Sequence, residues 1–385
     1  MNIMKVVVAI DSLKDSLSSF EAGQAIKAGI IKAYAGETVE VIVKPLADGG
    51  EGTVEALVEG MNGQRRNVEV QGPLNGKVCC PYGYLPESQT VIIEMAGAAG
   101  IGLVPTAQRN PLETTTYGVG EVIAHAMAEG ARNFIIGIGG SATSDCGIGM
   151  LQALGYVFRD SEGKPVGLGG KEAERITSVD DSQVNPLIKE CDFKIACDVN
   201  NPLYGEKGAA YIYGPQKGAT PDIVRRLDVG SRSFAKVTAA YLGEDLSQTP
   251  GAGAAGGLGF AFLAYVKGTL QSGIQIVLDA VDLKAALQGA DYAVTGEGRL
   301  DQQTAMGKAP IGVAKLAKEC GAKVVALAGC TTDDAKQCNV EGIDAYFAIV
   351  NQAMSLEQAM DQAVATKNMT DTAEQVFRLI RSVSR

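Results

Sequence analysis

Histidine is almost absent from this chain: a single residue, His125, in 385. It lies inside the stretch "GVGEVIAHAMAEG", whose spacing is helical, and it reads as an ordinary helix residue. Histidine triads and zinc-hydrolase centres are therefore poor candidates, and acid–base or metal chemistry falls to carboxylates. None of the eight cysteines, at 79, 80, 146, 191, 197, 320, 330 and 338, forms C-x-x-C. At this length a disulfide framework is not expected, and a reducing cytoplasm is. No window approaches 18 residues free of glycine or polar interruption, so no membrane span is expected. "MKVVVAIDS" turns polar too early for a secretory signal. Long runs of Lys or Arg are missing too, and the net charge is -10, which argues against nucleic-acid binding but leaves room for a local basic pocket. There is no G-x-x-x-x-G-K-[ST] phosphate loop: "QTAMGKA" has Gly307 and Lys308, but Gln302 and Ala309 break the pattern.

Glycine, by contrast, is plentiful, with 48 residues clustered in loops without a collagen-like period. "KVVVAI" (5–10) is a buried strand, and "SSFEAGQAIKAGIIKAYA" a helix that Ser18 and Glu21 open with a capping box. "TVEVIVKPLAD" is a second strand, and "GTVEALVEG" a helix. Strand and helix alternate again after residue 290, in "ADYAVTGEG", "APIGVAKLAKECG" and "AKVVALAGC", and residues 369–383 are expected to be helical. That order predicts a parallel α/β sheet. The middle differs. Residues 66–96 read as two or three strands joined by turns, "ARNFIIGIGG" and "DFKIACDV" as further strands, and "AAYIYGPQKGA" as one more. Residues 156–190 read as surface elaboration. The expected organisation is one discontinuous α/β domain, 1–70 with 280–385, carrying an inserted second α/β domain, 71–279.

Four glycine-rich, acid-containing stretches each follow an apolar run: "PLADGGEGT" (45–53), "GIGGSATSDCGIG" (137–149), "ACDVNNPLYGEKGAAYIYGPQKGA" (196–219) and "VTGEGRLDQQTAMGKAP" (294–310). Consecutive backbone N–H groups in such a turn can face a phosphate without a basic surface. In the second stretch Gly139 and Gly140 supply the turn, and Ser141, Thr143 and Ser144 the hydroxyls. Asp145 could hold magnesium or orient a lysine. Asp48, Asp198, Glu297 and Asp301 complete the candidate carboxylates, since magnesium takes hard oxygens and often only one or two carboxylates beside phosphate. Lys14, with Ser12, and Arg109, with Asn110, are candidates for holding an anionic substrate, and the threonines 114–116 share that candidacy. "GAGAAGGLG" satisfies G-x-G-x-x-G at 251, 253 and 256 but follows no strand, so it reads as a closely packed helix start. From these residues alone phosphoryl transfer leads. A hydroxy-acid dehydrogenase, a metal-dependent hydrolase or aldolase, and a small-anion sensor stay open.

The segments "DSLKDSLSS", "PLADGGEGT", "RNPLETTTYGVGE", "IGIGGSATSDCGIGMLQALG", "ACDVNNPLYGEKGAA", "GPQKGA" and "TGEGRLDQQTAMGKAPIGVAKLAK" resemble the type 1 glycerate kinase family, in its order and over nearly the whole chain. The resemblance implies transfer of phosphate from ATP, with Mg2+, to D-glycerate, usually at the 2-hydroxyl. It implies two α/β domains, one Rossmann-like or flavodoxin-like and discontinuous, the other inserted, with the site in the interdomain cleft. Under it Ser12, Lys14, Asp48, Arg109 and Asn110 would bind glycerate; Gly139, Gly140, Ser141 and Thr143 the phosphates; Asp145, Asp198 and Glu297 the metal. Asp198, then Asp301, is the expected proton acceptor, with Lys14 beside it. The expected partner is a small-molecule substrate, with a homodimer the assembly to look for. "SATSDCG" departs from the family's usual "SATNDGG" at Ser144 and Cys146, a change expected to touch loop packing and oxidation more than activity.

Overall fold

The computed structural model describes residues 3–47 and 52–383. Asp48, a candidate above, lies outside the described residues. The chain divides into two compact units, Met1–Asp48 with Glu55–Gly63 and Ile274–Arg385, and Gly49–Val54 with Gln64–Gly273. In chain order the strands begin β1 (Met4–Ile10), β2 (Val39–Pro45), β3 (Gln64–Gln71), β4 (Lys77–Leu85), β5 (Thr90–Glu94) and β6 (Asn133–Gly137). They continue β7 (Val157–Arg159), β8 (Ser178–Asp180), β9 (Asp192–Ala196) and β10 (Thr269–Gln271). The last are β11 (Tyr292–Thr295), β12 (Arg299–Leu300), β13 (Lys323–Ala328), β14 (Cys330–Thr331) and β15 (Ala345–Ala348).

The first unit is built on a five-stranded parallel sheet in the order β15-β13-β11-β1-β2. Counted within the unit this is 2-1-3-4-5, the flavodoxin-like doubly wound order. A strand covered on both faces must be apolar on both, and Val6 to Ile10 are all fully buried. Val6, Val8 and Ile10 pack against Ile26 and Ile30 of helix Ser19–Ala33, and against Met369 and Phe377 of helix Gln362–Val383. Helix Ala309–Glu319 packs against β11 and β13. The capping box forms as its spacing predicted: Glu21 N donates to Ser18 Oγ at 3.2 Å, and Ser18 N to Glu21 Oε2 at 2.9 Å.

The second unit carries a six-stranded mixed sheet, β10-β9-β6-β5-β4-β3. Strands β5, β6, β9 and β10 are parallel, while β3, β4 and β5 form an antiparallel meander. Residues 156–190 do more than decorate the surface. They form the β7–β8 ribbon, and its Phe158 is fully buried against Phe234 and Tyr265. The stretch "AAYIYGPQKGA", expected as a strand, is instead helix Ala209–Tyr213 followed by the tight turn Pro215–Lys217. Tyr and Ile favour strands only where a sheet can take them. Here Ala209 and Ala210 are buried side by side and Tyr211 and Ile212 are exposed side by side, a pattern no alternating strand can make. All eight cysteines are free. Among the described residues no helix is long and apolar enough to cross a membrane.

Helices Ser19–Ala33 and Gln362–Val383 meet so closely that a Cβ on Gly29 would lie 2.3 Å from the Thr370 carbonyl oxygen and 2.8 Å from Ala373 Cβ. Gly29→Ala is therefore expected to destabilise the protein by about 1–3 kcal/mol through overpacking, read as a lower urea midpoint. A midpoint at or above wild type would show that the helices can part without cost.

Candidate active site

In a doubly wound sheet, ligands sit beyond the carboxyl ends of the strands where the order reverses. In the first unit that point lies between β1 and β11. The chain there turns from Ile10 into Asp11–Ser12, and from Thr295 into Gly296–Glu297; Asp11 N donates to Gly296 O at 3.0 Å. A cavity of about 430 Å³ opens at this place. It is lined by the expected Ser12, Lys14, Glu297 and Asp301, and by Asp11, Ser16, Arg299 and Lys308. Its other wall is apolar, from Ile349 and Val350 to Leu356 and Met360.

The charges in this cavity are held in place. Asp301 caps helix Gln302–Ala305, its Oδ1 accepting from Gln303 N at 2.8 Å and Thr304 N at 3.2 Å, with Arg299 Nε 3.7 Å from Oδ2. Thr304 Oγ1 donates to Glu297 Oε1 at 2.6 Å, and Lys308 Nζ lies 3.8 Å from Glu297 Oε2. Acids and cations thus line one cavity without forming a dry pair, an arrangement that suits a polar anion.

In the second unit the glycine loop after β6 is wrapped around a carboxylate. Asp145 is fully buried. Its Oδ2 accepts from Thr116 N (2.8 Å), Thr116 Oγ1 (2.9 Å), Thr115 Oγ1 (3.4 Å) and Gly149 N (3.3 Å), and Oδ1 accepts from Gly147 N (3.2 Å). Burial pushes its pKa up, and these donors pull the other way. The glycines follow from the cage. A Cβ on Gly149 would sit 2.2 Å from Thr115 Oγ1, and one on Gly147, itself left-handed at φ 72, would sit 2.4 Å from Ala261 Cβ. Cys146 also takes a left-handed conformation (φ 53), with Sγ 3.3 Å from Ser231 Oγ and its thiol pushed up to about 12 by burial. "GAGAAGGLG" packs its backbone on the same loop: a Cβ on Gly256 would lie 2.1 Å from the Thr143 carbonyl oxygen.

Lys217, which the sequence reading passed over, lies beneath this loop. It is 2% exposed, and Nζ donates to Ser141 Oγ at 2.7 Å and Thr143 O at 2.6 Å. Burial lowers its pKa to about 7, opposed by the field of Asp145. The one sequence signal was its place between Gly214 and Gly218 in "GPQKGA". Gly139 and Gly140, with Gly97, Gly100 and Gly102, line a separate cavity of about 580 Å³ at the ends of β5 and β6.

Other candidates stand apart within this unit. Asp198 follows β9 and is exposed, its Oδ1 accepting from Gly273 N at 3.1 Å. Arg109 is partly buried with no hydrogen bond at Nε, and Asn110 Oδ1 accepts from Leu112 N at 3.1 Å. Among the described residues no three acidic, histidine or cysteine side chains gather into a metal cluster. Magnesium can make do with one or two carboxylates and phosphate oxygens. Exposed Asp198 fits that role, as does Glu297 in part. Asp145, as placed, directs both oxygens to its own loop.

The glycerate kinase family model matches residues 6–381. This chain belongs to the glycerate kinase family. It is 45% identical over 377 residues to a glycerate kinase of Haemophilus influenzae, covering 98% of this chain and 99% of that one. It is 44% identical over 356 residues to the glycerate 2-kinase of Escherichia coli, covering 92% and 93%. A crystal structure assigned to a glycerate kinase 2 of Salmonella typhimurium aligns over 100% of both chains, with a TM-score of 0.91 at 44% identity.

The buried lysine has a measurable signature. Its folded pKa of about 7 lies below the ordinary 10.5. Between these values the unfolded chain binds a proton that the folded one does not, so Lys217's contribution to stability rises with pH across that window, by at most about 1.4 kcal/mol per unit. Urea unfolding at pH 7, 8 and 9 should show wild type gaining on Lys217→Met as pH rises. Parallel curves would mean the amine titrates normally.

Proposed function

We propose that this chain transfers the γ-phosphoryl group of ATP to the 2-hydroxyl of D-glycerate, giving 2-phosphoglycerate and ADP. Family membership across residues 6–381, rather than any single glycine motif, carries this reading. Lys14 and Ser12, from the loop after β1, and Arg109 with Asn110 would hold the glycerate carboxylate, and Asp48 is a further proposed substrate-binding residue. Gly139, Gly140, Ser141 and Thr143 would take the phosphates.

Asp198 is the proposed acceptor of the proton from the attacking hydroxyl, and Asp301 the second choice. Asp301's fixed orientation as a helix cap suits it to aligning Lys14 and the substrate, while Asp198's exposed carboxylate suits proton transfer. Magnesium, where bound by Asp198 and Glu297, would offset phosphate charge. Phosphoryl transfer asks mainly for positioning and charge stabilisation, so a modest base suffices.

Purified protein with ATP, magnesium and D-glycerate, followed by ³¹P and ¹³C NMR, should yield 2-phosphoglycerate, and L-glycerate should not react. A 3-phosphate product would keep the kinase and reverse the pose of glycerate. No ATP consumption with either enantiomer would sink the reading. Asp198→Asn is expected to lower kcat by roughly 10²–10⁴-fold and to shift stability by less than about 0.5 kcal/mol. Near-full turnover by this variant would remove Asp198 from the role.

A further inference from the structure

Lys217 is the buried cation that the scheme above leaves without a role. Its ammonium grips the glycine loop at two points, Ser141 Oγ and Thr143 O. Both contacts present neutral oxygens, and Asp145 is the charged group whose field acts on it. The same turn bears on a second candidate segment. Gly218 is left-handed (φ 91), and a Cβ there would lie 2.3 Å from the Arg109 carbonyl oxygen. In the loop itself Thr143 Oγ1 and Ser144 Oγ are buried and have no hydrogen-bond partner.

Burying an ammonium is costly, and where only packing is needed an apolar side chain does as well or better. The charge gains its offset when an anion arrives near it. Phosphate-binding glycine loops commonly combine backbone N–H groups with a lysine, which P-loops carry in the motif itself. Here the loop has none, and the fold supplies one from 76 positions downstream of Ser141.

We propose that Lys217 is a positioning residue of the kinase reaction: its ammonium holds residues 141–143 in the conformation that receives the nucleotide phosphates and gives that turn its positive charge. This deepens the glycerate kinase reading and rests on it. Lys217 acts through Ser141 and Thr143, because its own side chain is almost wholly enclosed. An approaching polyphosphate favours the charged form that burial disfavours.

The test compares wild type with Lys217→Met and Lys217→Gln, the second retaining a neutral donor of similar length. MgADP affinity is measured by calorimetry, KM for ATP and for D-glycerate by assay, and folding by thermal unfolding. Both variants should bind MgADP at least ten-fold more weakly and raise KM for ATP, while KM for D-glycerate stays within two-fold. Unchanged MgADP affinity in a folded variant, or a shift confined to glycerate, would overturn the proposal. In case neither variant folds, hydrogen exchange on wild type decides: MgADP should slow exchange at 214–219 together with 139–147, and unchanged exchange at 214–219 overturns it. Wild type that phosphorylates glycerate while its variants bind MgADP normally sinks this inference alone. Wild type that neither binds MgADP nor turns over glycerate sinks the kinase reading with it.

Discussion

A carboxylate buried without a formal partner organises the second unit. Asp145 is enclosed by two threonines and two glycine N–H groups. Thr116 both donates to Asp145 and accepts from Met150 N at 3.0 Å, so it joins the start of one helix to the body of the next. Glycine is required at 149 because a hydroxyl and a carboxylate oxygen occupy the space of its side chain. A buried charge costs several kcal/mol unless it is fully hydrogen-bonded, so such a cage is kept whole or lost as a whole. The result is a loop whose backbone is fixed by its own buried carboxylate.

The first unit solves a different problem by simpler means. Its parallel sheet buries both faces, and the reversal of strand order leaves a cavity at the ends of β1 and β11. The loops there are held by local bonds: Asp301 by its own helix, Glu297 by Thr304, Asp11 by the amide of Ser12 at 2.6 Å. These side chains keep fixed places yet stay near the cavity, whereas Asp145 is withdrawn from its own. The two loops share residue types but differ in form: one keeps its acids beside a cavity, the other folds its backbone around a buried one.

Much of this was legible in the chain. β1 announces itself as five consecutive buried apolar residues, helix Ser19–Ala33 by its capping box, and the flagged acids by their place after strands. Local physics suffices for these, because period and capping involve neighbours a few residues apart. The stretch 209–213 was misread because strand propensity is a statement about context, and the context is a helix packed on its alanines. The threonines 114–116 were flagged as anion ligands, and the structure gives Thr115 and Thr116 a carboxylate of the same chain as their acceptor.

By itself the sequence determined the family, the alternation of strand and helix at both ends, and the capping box that opens helix Ser19–Ala33. All of these depend on residue type and short-range order. Only the tertiary structure decided that Asp145 faces inward and that Lys217 stands under Ser141. Those are contacts across 29 and 76 positions, made when separate strand ends come together. No local preference encodes such a meeting; it follows from the order in which strands pair, and from the cost of leaving a buried charge alone.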